Sequence, residues 1–254
     1  MNFMQMLTEQ RKNYLLEILG KTGRIVAKDA SRELSLSEDT IRRDLRELAA
    51  DGRLTRVHGG ALPLSPSIGT LDARRDLATD EKVKLAAVAC RLIKPGQVVF
   101  MDGGTTHLEL IRRLAPDLKA TIITHSPSIA AALEHSLSIE TILIGGRLFR
   151  HSMVAVGAET LEAISRMRAD TCFLGVTGIH ASEGLTTGDR EEAAVKRALV
   201  ERAAETVVLA TEDKLGAASA FRIVNVDKIR TLIVTSQGRV AGAIGSAPVN
   251  VITA

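Results

Sequence analysis

Residues 37–61 read SEDTIRRDLRELAADGRLTRVHGGA, and this stretch decides the fold of the first part of the chain. Its apolar residues recur at helical spacing and predict one buried stripe on a helix: Ile41, Leu45 and Leu48. Ser37 is a suitable N-cap for this helix, and Gly52 is a suitable residue just past its end. Residues 53–61 then alternate apolar and basic side chains before a glycine pair, which is typical of a short β-ribbon.

Two shorter helices are predicted before this stretch. Residues 9–20 predict a first helix that ends at Gly20, and four residues form its apolar face: Tyr14, Leu15, Ile18 and Leu19. Residues 27–34 predict a second helix, and residues 35–37 predict a tight turn after it. Three short helices followed by a β-ribbon indicate a winged helix-turn-helix, a fold that places its last helix in the major groove of DNA.

The face of the third helix opposite the apolar stripe is rich in arginine. A recognition helix contacts base edges with its N-terminal residues, and arginine donates two hydrogen bonds to guanine. The predicted DNA-contacting residues are five on or beside this helix and two on the ribbon: Ser37, Thr40, Arg42, Arg43, Arg46, Arg56 and His58. The alternative for an arginine pair is a solvated charged face, but the surrounding three-helix and ribbon pattern favours DNA binding.

The composition restricts the class of protein without identifying it. Hydrophobic residues make up 45% of the 254 residues and charged residues 25%, as in soluble globular proteins. The formal net charge of +3 is too small to indicate nucleic-acid binding, so the placement of the charges decides that question. Aromatic residues make up only 2%, which argues against a surface that binds nucleic acid by base stacking.

Metal, cofactor and membrane binding are not expected. Cys90 and Cys172 are far apart and lack a CxxC partner, and the histidines are scattered, so neither a disulfide scaffold nor a metal site is predicted. No cofactor is predicted either. The N-terminus lacks the apolar core of a signal peptide, and no stretch approaches the roughly 20 apolar residues that span a membrane. We therefore expect a cytoplasmic protein that does not contact a membrane.

A domain boundary is predicted at residues 62–71, LPLSPSIGTL, where prolines, serines and a glycine interrupt every periodicity. The predicted organisation is a winged helix-turn-helix over residues 1–62, a linker over 63–79 and a second domain over 80–254. In the second domain six short β-branched runs predict strands: 98–102, 121–125, 141–146, 171–176, 206–211 and 231–236. Amphipathic helical stretches lie between most of them, and this alternation indicates a Rossmann-like α/β domain with a parallel sheet and helices on both faces.

The predicted ligand site lies where these strands end. The first strand runs directly into a loop of two glycines and two threonines at the start of a helix, which is typical of a phosphate cradle: Gly103, Gly104, Thr105 and Thr106. Asp102 would repel a phosphate and suits sugar hydroxyls instead. His125, Arg147 and Lys214 follow other strands at the same sheet edge, where the two cations can neutralise phosphate. A purely structural turn, and surface cations, are the alternatives.

The motif SxxTIRRDLxELxxxGRLTRVHGGA at residues 37–61 resembles the signature of the DeoR family of bacterial transcription regulators. In that family the serine, the threonine and the paired arginines lie on the recognition helix. The resemblance therefore implies that four residues read DNA: Ser37, Thr40, Arg42 and Arg43.

Residues 80–236 resemble the sensor domain of the same family, in segments that include EKVKLAAVA, DGGTT, ILIGGRL, DTCFLGVTGI, GLTTGDREEAAVKRALVERA and LATEDKLG. The resemblance implies a fold similar to ribose-phosphate isomerase and glucosamine-phosphate deaminase, and a sugar phosphate as the ligand. The chain departs from the family pattern at two positions. His125 stands where members commonly carry Asn, and Thr211 stands where they usually carry an acid.

The function implied by the resemblance is a repressor of a carbohydrate-metabolism operon. Its affinity for a double-stranded DNA operator would be controlled by a small phosphorylated metabolite, and operator symmetry implies a homodimer or homotetramer. One alternative is a sugar-phosphate isomerase or deaminase, for which the candidate acid–base groups are Asp102, Asp189, Glu191, Glu192 and His180. The other is an oligomerisation module whose N-terminal helices bind a partner protein. The arginine-rich helix argues against the second, and no catalytic residue is assigned.

Overall fold

The computed structural model describes residues 8–64 and 69–254. Its first domain contains helices and short strands in the order α1 (Thr8–Thr22), β1 (Ile25–Val26), α2 (Ala27–Leu34), α3 (Glu38–Ala50), β2 (Thr55–Val57) and β3 (Gly60–Leu62). The strands form one antiparallel sheet in the order β1-β3-β2. This confirms the predicted winged helix-turn-helix. Strand β1 was not predicted, because a two-residue strand shows no alternation in the sequence.

Helix α1 extends past its predicted end at Gly20. The backbone turns instead at Gly23, which has a φ of 72° and whose amide donates a hydrogen bond to the carbonyl of Leu19 at 2.9 Å. A glycine ends a helix by adopting this left-handed conformation, whereas Gly20 stays helical. The end of α1 therefore lies at Thr22.

The core of the first domain contains the predicted apolar stripe, since Ile41, Leu45 and Leu48 are all buried. A buried ion pair also joins α1 to α3. Arg11 Nη2 donates to Asp44 Oδ1 at 2.8 Å, and Arg11 Nε contacts the other carboxylate oxygen. Because Asp44 lies among the buried residues of α3, removal of Arg11 would leave its charge unpaired, at a cost of about 3–5 kcal/mol.

The second domain is built on a sheet of seven parallel strands in the order β15-β14-β12-β9-β4-β5-β6. These strands are β4 (Val98–Met101), β5 (Ala120–Thr124), β6 (Ile139–Leu143), β9 (Ala169–Leu174), β12 (Ala203–Ala210), β14 (Thr231–Val234) and β15 (Asn250–Thr253). The six predicted strands are present with shifted ends, and β15 is an additional edge strand. The predicted parallel α/β architecture is therefore confirmed.

Helices cover both faces of this sheet. They are α4 (Thr79–Ala89), α5 (Thr105–Ile111), α6 (Pro127–Ala132), α7 (Ala158–Ser165), α8 (Arg190–Glu201) and α9 (Val240–Ile244). Val99 and Met101 of β4 join one apolar cluster with α4, α5 and α6, whereas Phe100 joins the other cluster with α7, α8 and α9. This alternation along one strand is the reason why the sheet has a core on each side.

Two small antiparallel sheets were not predicted. One is a hairpin of β7 (Arg147–Phe149) and β8 (Val154–Val156), and the other contains β10 (Gly178–His180), β11 (Gly184–Thr187) and β13 (Phe221–Val224). Strands of three or four residues are too short to show a clear period in a sequence. Both sheets lie close to the carboxyl-terminal edge of the parallel sheet, because residues from each of them line the cavity found there.

The chain before α4 packs against the second domain. Part of the predicted linker, residues 65–68, lies outside the described residues. Residues 69–78, which we call the approach segment, form a series of turns in which Leu71 is buried. The amide of Leu71 donates to the carbonyl of His151 at 2.8 Å. The approach segment is thus attached to the loop between β7 and β8 and is not a free linker.

Candidate functional site

The start of α3 is organised by two of the predicted DNA-contacting residues. Ser37 Oγ accepts a hydrogen bond from the Thr40 amide at 3.2 Å, and it lies 2.9 Å from the Thr40 hydroxyl oxygen. Arg42, Arg43 and Arg46 are exposed on the helix that follows. Arg42 donates to Glu38 at 2.8 Å, one turn earlier. This end of α3 therefore presents hydroxyl and guanidinium groups on the surface.

Glu47, an acidic residue on the same helix, forms an ion pair with Lys12 of α1. Lys12 Nζ lies 3.0 Å from a carboxylate oxygen of Glu47. The hydrogen bond from Lys12 lowers the pKa of Glu47, and the charge of Arg43 adds to this effect. The ion pair with Lys12 therefore offsets the negative charge of Glu47 beside Arg43.

The wing is the hairpin of β2 and β3, and Arg56 and His58 are exposed on it. Its two glycines have different structural requirements. Gly59 has a φ of 80°, which side chains rarely allow. A Cβ atom on Gly60 would lie 1.7 Å from the carbonyl oxygen of Ile25, so only glycine lets β1 pair with β3.

The second domain contains a cavity of about 410 Å³ at the carboxyl-terminal edge of the sheet. Five of the predicted ligand residues line it: Gly103, Gly104, Thr105, Thr106 and Lys214. The loop needs its glycines, because a Cβ atom on Gly103 would lie 2.5 Å from Val154 and Gly104 has a φ of 136°. The strand-to-helix turn predicted from the sequence therefore lies in the wall of a cavity of ligand size.

Asp102 and His125 lie beneath the cavity and do not line it. Asp102 accepts hydrogen bonds from the amides of Gly103 and Gly175, each at 2.7 Å, and from Lys196 Nζ at 2.5 Å. Burial raises the pKa of Asp102, but the charge of Lys196 and the hydrogen bond from His125 outweigh this and hold the pKa well below its usual range. The predicted contact between Asp102 and sugar hydroxyls is therefore not supported by its position.

His125 is held by an acceptor at each ring nitrogen. Nδ1 lies 2.8 Å from the carbonyl oxygen of Ala155, and Nε2 lies 2.8 Å from Asp102 Oδ1. A carbonyl and a carboxylate are both hydrogen-bond acceptors, so each ring nitrogen of His125 faces an acceptor. His125 thus contacts Asp102 and does not line the cavity.

Arg147 also lies outside the cavity. It is on β7, where its side chain is 61% exposed and forms an ion pair with Glu191 of α8. The hairpin of β7 and β8 brings Phe149, His151 and Ser152 to the cavity instead. The position of Arg147 after a strand predicted that it lies at the ligand site. It does not line the cavity, because the chain continues from β6 into another strand, β7.

Three cations that the sequence reasoning did not select line the cavity: Arg74, Lys82 and Lys196. Lys82 is in phase with the buried residues Leu85, Ala86 and Ala89 of α4, and Lys196 lies among buried residues of α8. A lysine on the apolar stripe of an amphipathic helix is a signal that identifies both. Arg74 lies in the approach segment, and nothing in its local sequence distinguishes it from Arg75.

Four cations and four carboxylates line the cavity, and three of the cations affect one another's pKa values. Burial lowers the pKa of Lys214 to about 8, where Asp213 opposes the effect and Arg74 and Lys82 add to it. Burial also lowers the pKa of Lys82, and the charge of Arg74 contributes. Lys196 is compensated by Asp102 and by Glu192 at 3.5 Å. Arg74, Lys82 and Lys214 therefore repel one another, and an anion placed between them would relieve that repulsion.

His107 and Thr211 add polar groups to the lining. Burial lowers the pKa of His107 to about 4, so the ring is neutral at pH 7. Its Nδ1 faces the carbonyl of Gly103 at 3.3 Å, which leaves Nε2 as the acceptor nitrogen. Thr211 donates its hydroxyl to Asp213 at 2.5 Å. Asp213 thus supplies, two residues later, a carboxylate near the position where the family pattern has its acid.

The acid–base candidates of the enzyme alternative are engaged in structural contacts. Asp189 caps α8 by accepting from the amides of Glu191 and Glu192, each at 2.9 Å. His180 lies outside the cavity lining, and its Nδ1 accepts from the amide of Ser182 at 3.3 Å.

Within residues 8–64 and 69–254, no three His, Cys, Asp or Glu side chains are grouped to hold a metal ion. In the same described ranges, no helix combines the length and the apolar character that crossing a membrane requires.

Comparison with known proteins identifies both domains. Residues 11–66 match the DeoR-like helix-turn-helix domain, and residues 77–236 match the DeoR C terminal sensor domain. The chain is 34% identical over 231 residues to the HTH-type transcriptional regulator GlpR of Haloferax volcanii, covering 90% of each chain. It is 32% identical over 208 residues to the glycerol-3-phosphate regulon repressor of Escherichia coli K12, covering 82% of each. A ribose 5-phosphate isomerase from Methanocaldococcus jannaschii is similar over 54% of each chain, with a TM-score of 0.40 and 21% identity. The chain belongs to the DeoR family of transcription regulators.

Proposed function

We propose that this regulator represses a carbohydrate-metabolism operon and that a phosphorylated sugar or polyol in the cavity controls its affinity for DNA. The observation that carries the ligand assignment is the convergence of Arg74, Lys82 and Lys214 on one cavity beside the loop of residues 103–106. A relative named as a glycerol-3-phosphate regulon repressor supports a ligand of this chemical class. Regulation of transcription, and not catalysis, is the function of the family to which both domains belong.

The DNA contacts are proposed to come from α3 and the wing. Arg43 lies in the first half of α3 and Arg46 three residues later; both are exposed and are the proposed base readers, since arginine pairs with guanine in the major groove. Ser37, Thr40 and Arg42 are proposed to contact DNA at the same helix end. Exposed Arg56 and His58 on the wing are proposed to contact the flanking phosphates.

The cavity offers one set of groups for a phosphate and another for hydroxyls. The three cations and the hydroxyls of Thr105 and Thr106 suit a phosphate dianion. Asp189 and the neutral ring of His107 also line the cavity and can accept hydrogen bonds from sugar hydroxyls. A volume of about 410 Å³ is within the range of small-molecule sites and accommodates a sugar phosphate.

The experiment measures DNA binding by fluorescence anisotropy, on the DNA upstream of the gene, with and without glycerol 3-phosphate, fructose 6-phosphate and glucose 6-phosphate. We expect at least one of these probes to change the dissociation constant for DNA by tenfold or more. Lys214→Gln and Thr105→Ala should bind DNA like the wild type but need much more probe for the response. Arg147→Gln is the matched control, because Arg147 lies outside the cavity. A response that is lost equally in Arg147→Gln would contradict the site assignment.

We also propose that the working form is a homodimer or homotetramer, because a symmetric assembly matches the repeated half-sites of an operator. Sedimentation velocity of the protein, with and without the DNA duplex, measures this. A protein that stays monomeric on DNA would contradict the proposal.

A further inference from the structure

The approach segment forms part of the cavity wall. Arg74, Leu77 and Ala78 of this segment line the cavity. The amide of Leu71 is bound to the carbonyl of His151, and His151 also lines the cavity. The approach segment, which follows the winged domain along the chain, therefore borders the space where a ligand would bind.

Lys82 attaches the approach segment to α4. Its side chain is only 6% exposed, and its Nζ donates to the backbone carbonyls of Arg74 and, at 3.4 Å, of Arg75. Lys82 lines the cavity as well. The ammonium group of Lys82 thus contacts both the cavity and the backbone of the approach segment. A ligand that moves this ammonium group would therefore change its hydrogen bonds to the segment.

We call the approach segment seated when it packs against the second domain as in this structure. In the seated state, positive charges lie close together. Arg74 is half-buried, and burial lowers the pKa of its guanidinium, although the charges of Glu192 and Asp102 oppose this. The Arg74 charge in turn lowers the pKa values of Lys82 and Lys214. Seating the approach segment therefore costs electrostatic free energy as long as no anion lies between these groups. A phosphate dianion would convert the repulsion into attraction.

We propose that Arg74 is an anion-binding residue of the ligand site and that an anion in the cavity locks the approach segment onto the second domain; this rests on the proposed phosphorylated ligand. A ligand shifts a conformational equilibrium only through different affinities for the two states. Arg74 reaches the anion only when the segment is seated, so the anion binds the seated state more tightly. Because the segment follows the winged domain along the chain, locking it restricts the stretch of chain that connects the two domains.

The test is hydrogen exchange, measured by mass spectrometry on the full chain, with inorganic phosphate as the probe. Peptides that cover residues 69–78 report the approach segment, and peptides that cover residues 103–106 report the phosphate loop. The variant is Arg74→Gln. The matched control is Arg75→Gln, because Arg75 is 58% exposed, pairs with Asp72 at 3.6 Å and does not line the cavity. Arg74→Lys, which keeps the charge, is used if Arg74→Gln does not fold.

In the wild type and in Arg75→Gln, saturating phosphate is expected to slow exchange at least fivefold in both sets of peptides. In Arg74→Gln it should slow only the loop, and about tenfold more phosphate should be needed. For Arg74→Lys we expect a slowing of the segment of less than half the wild-type factor. Undiminished slowing of the segment in the Arg74 variant, or slowing of the loop alone in the wild type, overturns this inference and leaves the proposed ligand class intact. No slowing anywhere in the wild type overturns both.

Discussion

The Nζ atom of Lys196 lies 2.5 Å from Oδ2 of Asp102, and both side chains are buried at the base of the ligand cavity. Asp102 is the residue immediately before the loop of Gly103 to Thr106, and Lys196 lies in the middle of α8. The ion pair therefore fixes the start of the loop to α8. Asp102 therefore positions the loop of residues 103–106, and its carboxylate is engaged by Lys196 and by the amides of Gly103 and Gly175.

Lys196→Met should lower the free energy of unfolding by about 3–5 kcal/mol, because it leaves the Asp102 charge buried without its main partner. Urea denaturation at pH 7 measures this. The matched control is Lys84→Met, a change at an exposed position on α4 that should have little effect. The double variant Asp102→Asn with Lys196→Met removes both charges and should recover part of the loss. An equal loss in Lys84→Met and Lys196→Met would contradict the role of the ion pair.

The affinity of the cavity for glycerol 3-phosphate should decrease above pH 8. Burial lowers the pKa of Lys214 to about 8, so the ammonium is charged below that pH and neutral above it. A phosphate monoester is already a dianion there, since its second pKa is about 6. The dissociation constant should therefore rise by up to about tenfold per pH unit above pH 8, the limit for loss of one bound proton. Isothermal titration calorimetry between pH 7 and pH 9.5 measures this.

The variant Lys214→Met isolates that titration. It should bind glycerol 3-phosphate more weakly at pH 7 and show a much smaller dependence on pH, while the other cavity cations remain. If the slope above pH 8 is the same in the variant and in the wild type, Lys214 is not the group that titrates.

Arg43→Ala should lower affinity for the operator more than affinity for a random duplex. Loss of one bidentate contact to a base costs about 1–3 kcal/mol of discrimination, whereas loss of a phosphate contact weakens all sequences alike and reduces the salt dependence. Arg56→Ala on the wing is expected to show the second pattern. Fluorescence anisotropy at several salt concentrations distinguishes them. Arg166→Ala serves as the control, since Arg166 is exposed on the second domain and pairs with Glu162. Equal losses on both duplexes in Arg43→Ala would contradict its role in base reading.

Gly60→Ala should abolish DNA binding without affecting ligand binding. Its Cβ atom would lie 1.7 Å from the Ile25 carbonyl oxygen, so β1 and β3 could no longer pair. We expect a loss of about 2–3 kcal/mol in the stability of the winged domain, as for other overpacked sites. Gly20→Ala is a control with the opposite sign, because Gly20 lies in α1 with open space around it and alanine favours a helix by about 0.5–1 kcal/mol. Wild-type DNA binding by Gly60→Ala would show that the wing does not need this pairing.

Most of the winged domain could be predicted because its signals are local. The spacing of Ile41, Leu45 and Leu48 requires one helical face to be buried, and a cap at Ser37 marks where that helix begins. The exception is the end of α1, because the sequence has two glycines, Gly20 and Gly23, at which the helix could end. Gly23 rather than Gly20 takes the left-handed conformation, and this choice depends on where the helix meets β1.

The sequence by itself determined the two-domain composition, the parallel sheet and the strand-to-helix turn of residues 102–106, since each rests on residues adjacent along the chain. Only the tertiary structure decided which side chains meet at the cavity. Arg74 comes from the approach segment, Lys82 from α4, Lys196 from α8 and Lys214 from the turn after β12, and only the packing of these segments around the end of the sheet brings them to one cavity. The same geometry placed Asp102 and His125 beneath the cavity and Arg147 outside it, because burial and partner contacts depend on neighbours that are distant in the sequence.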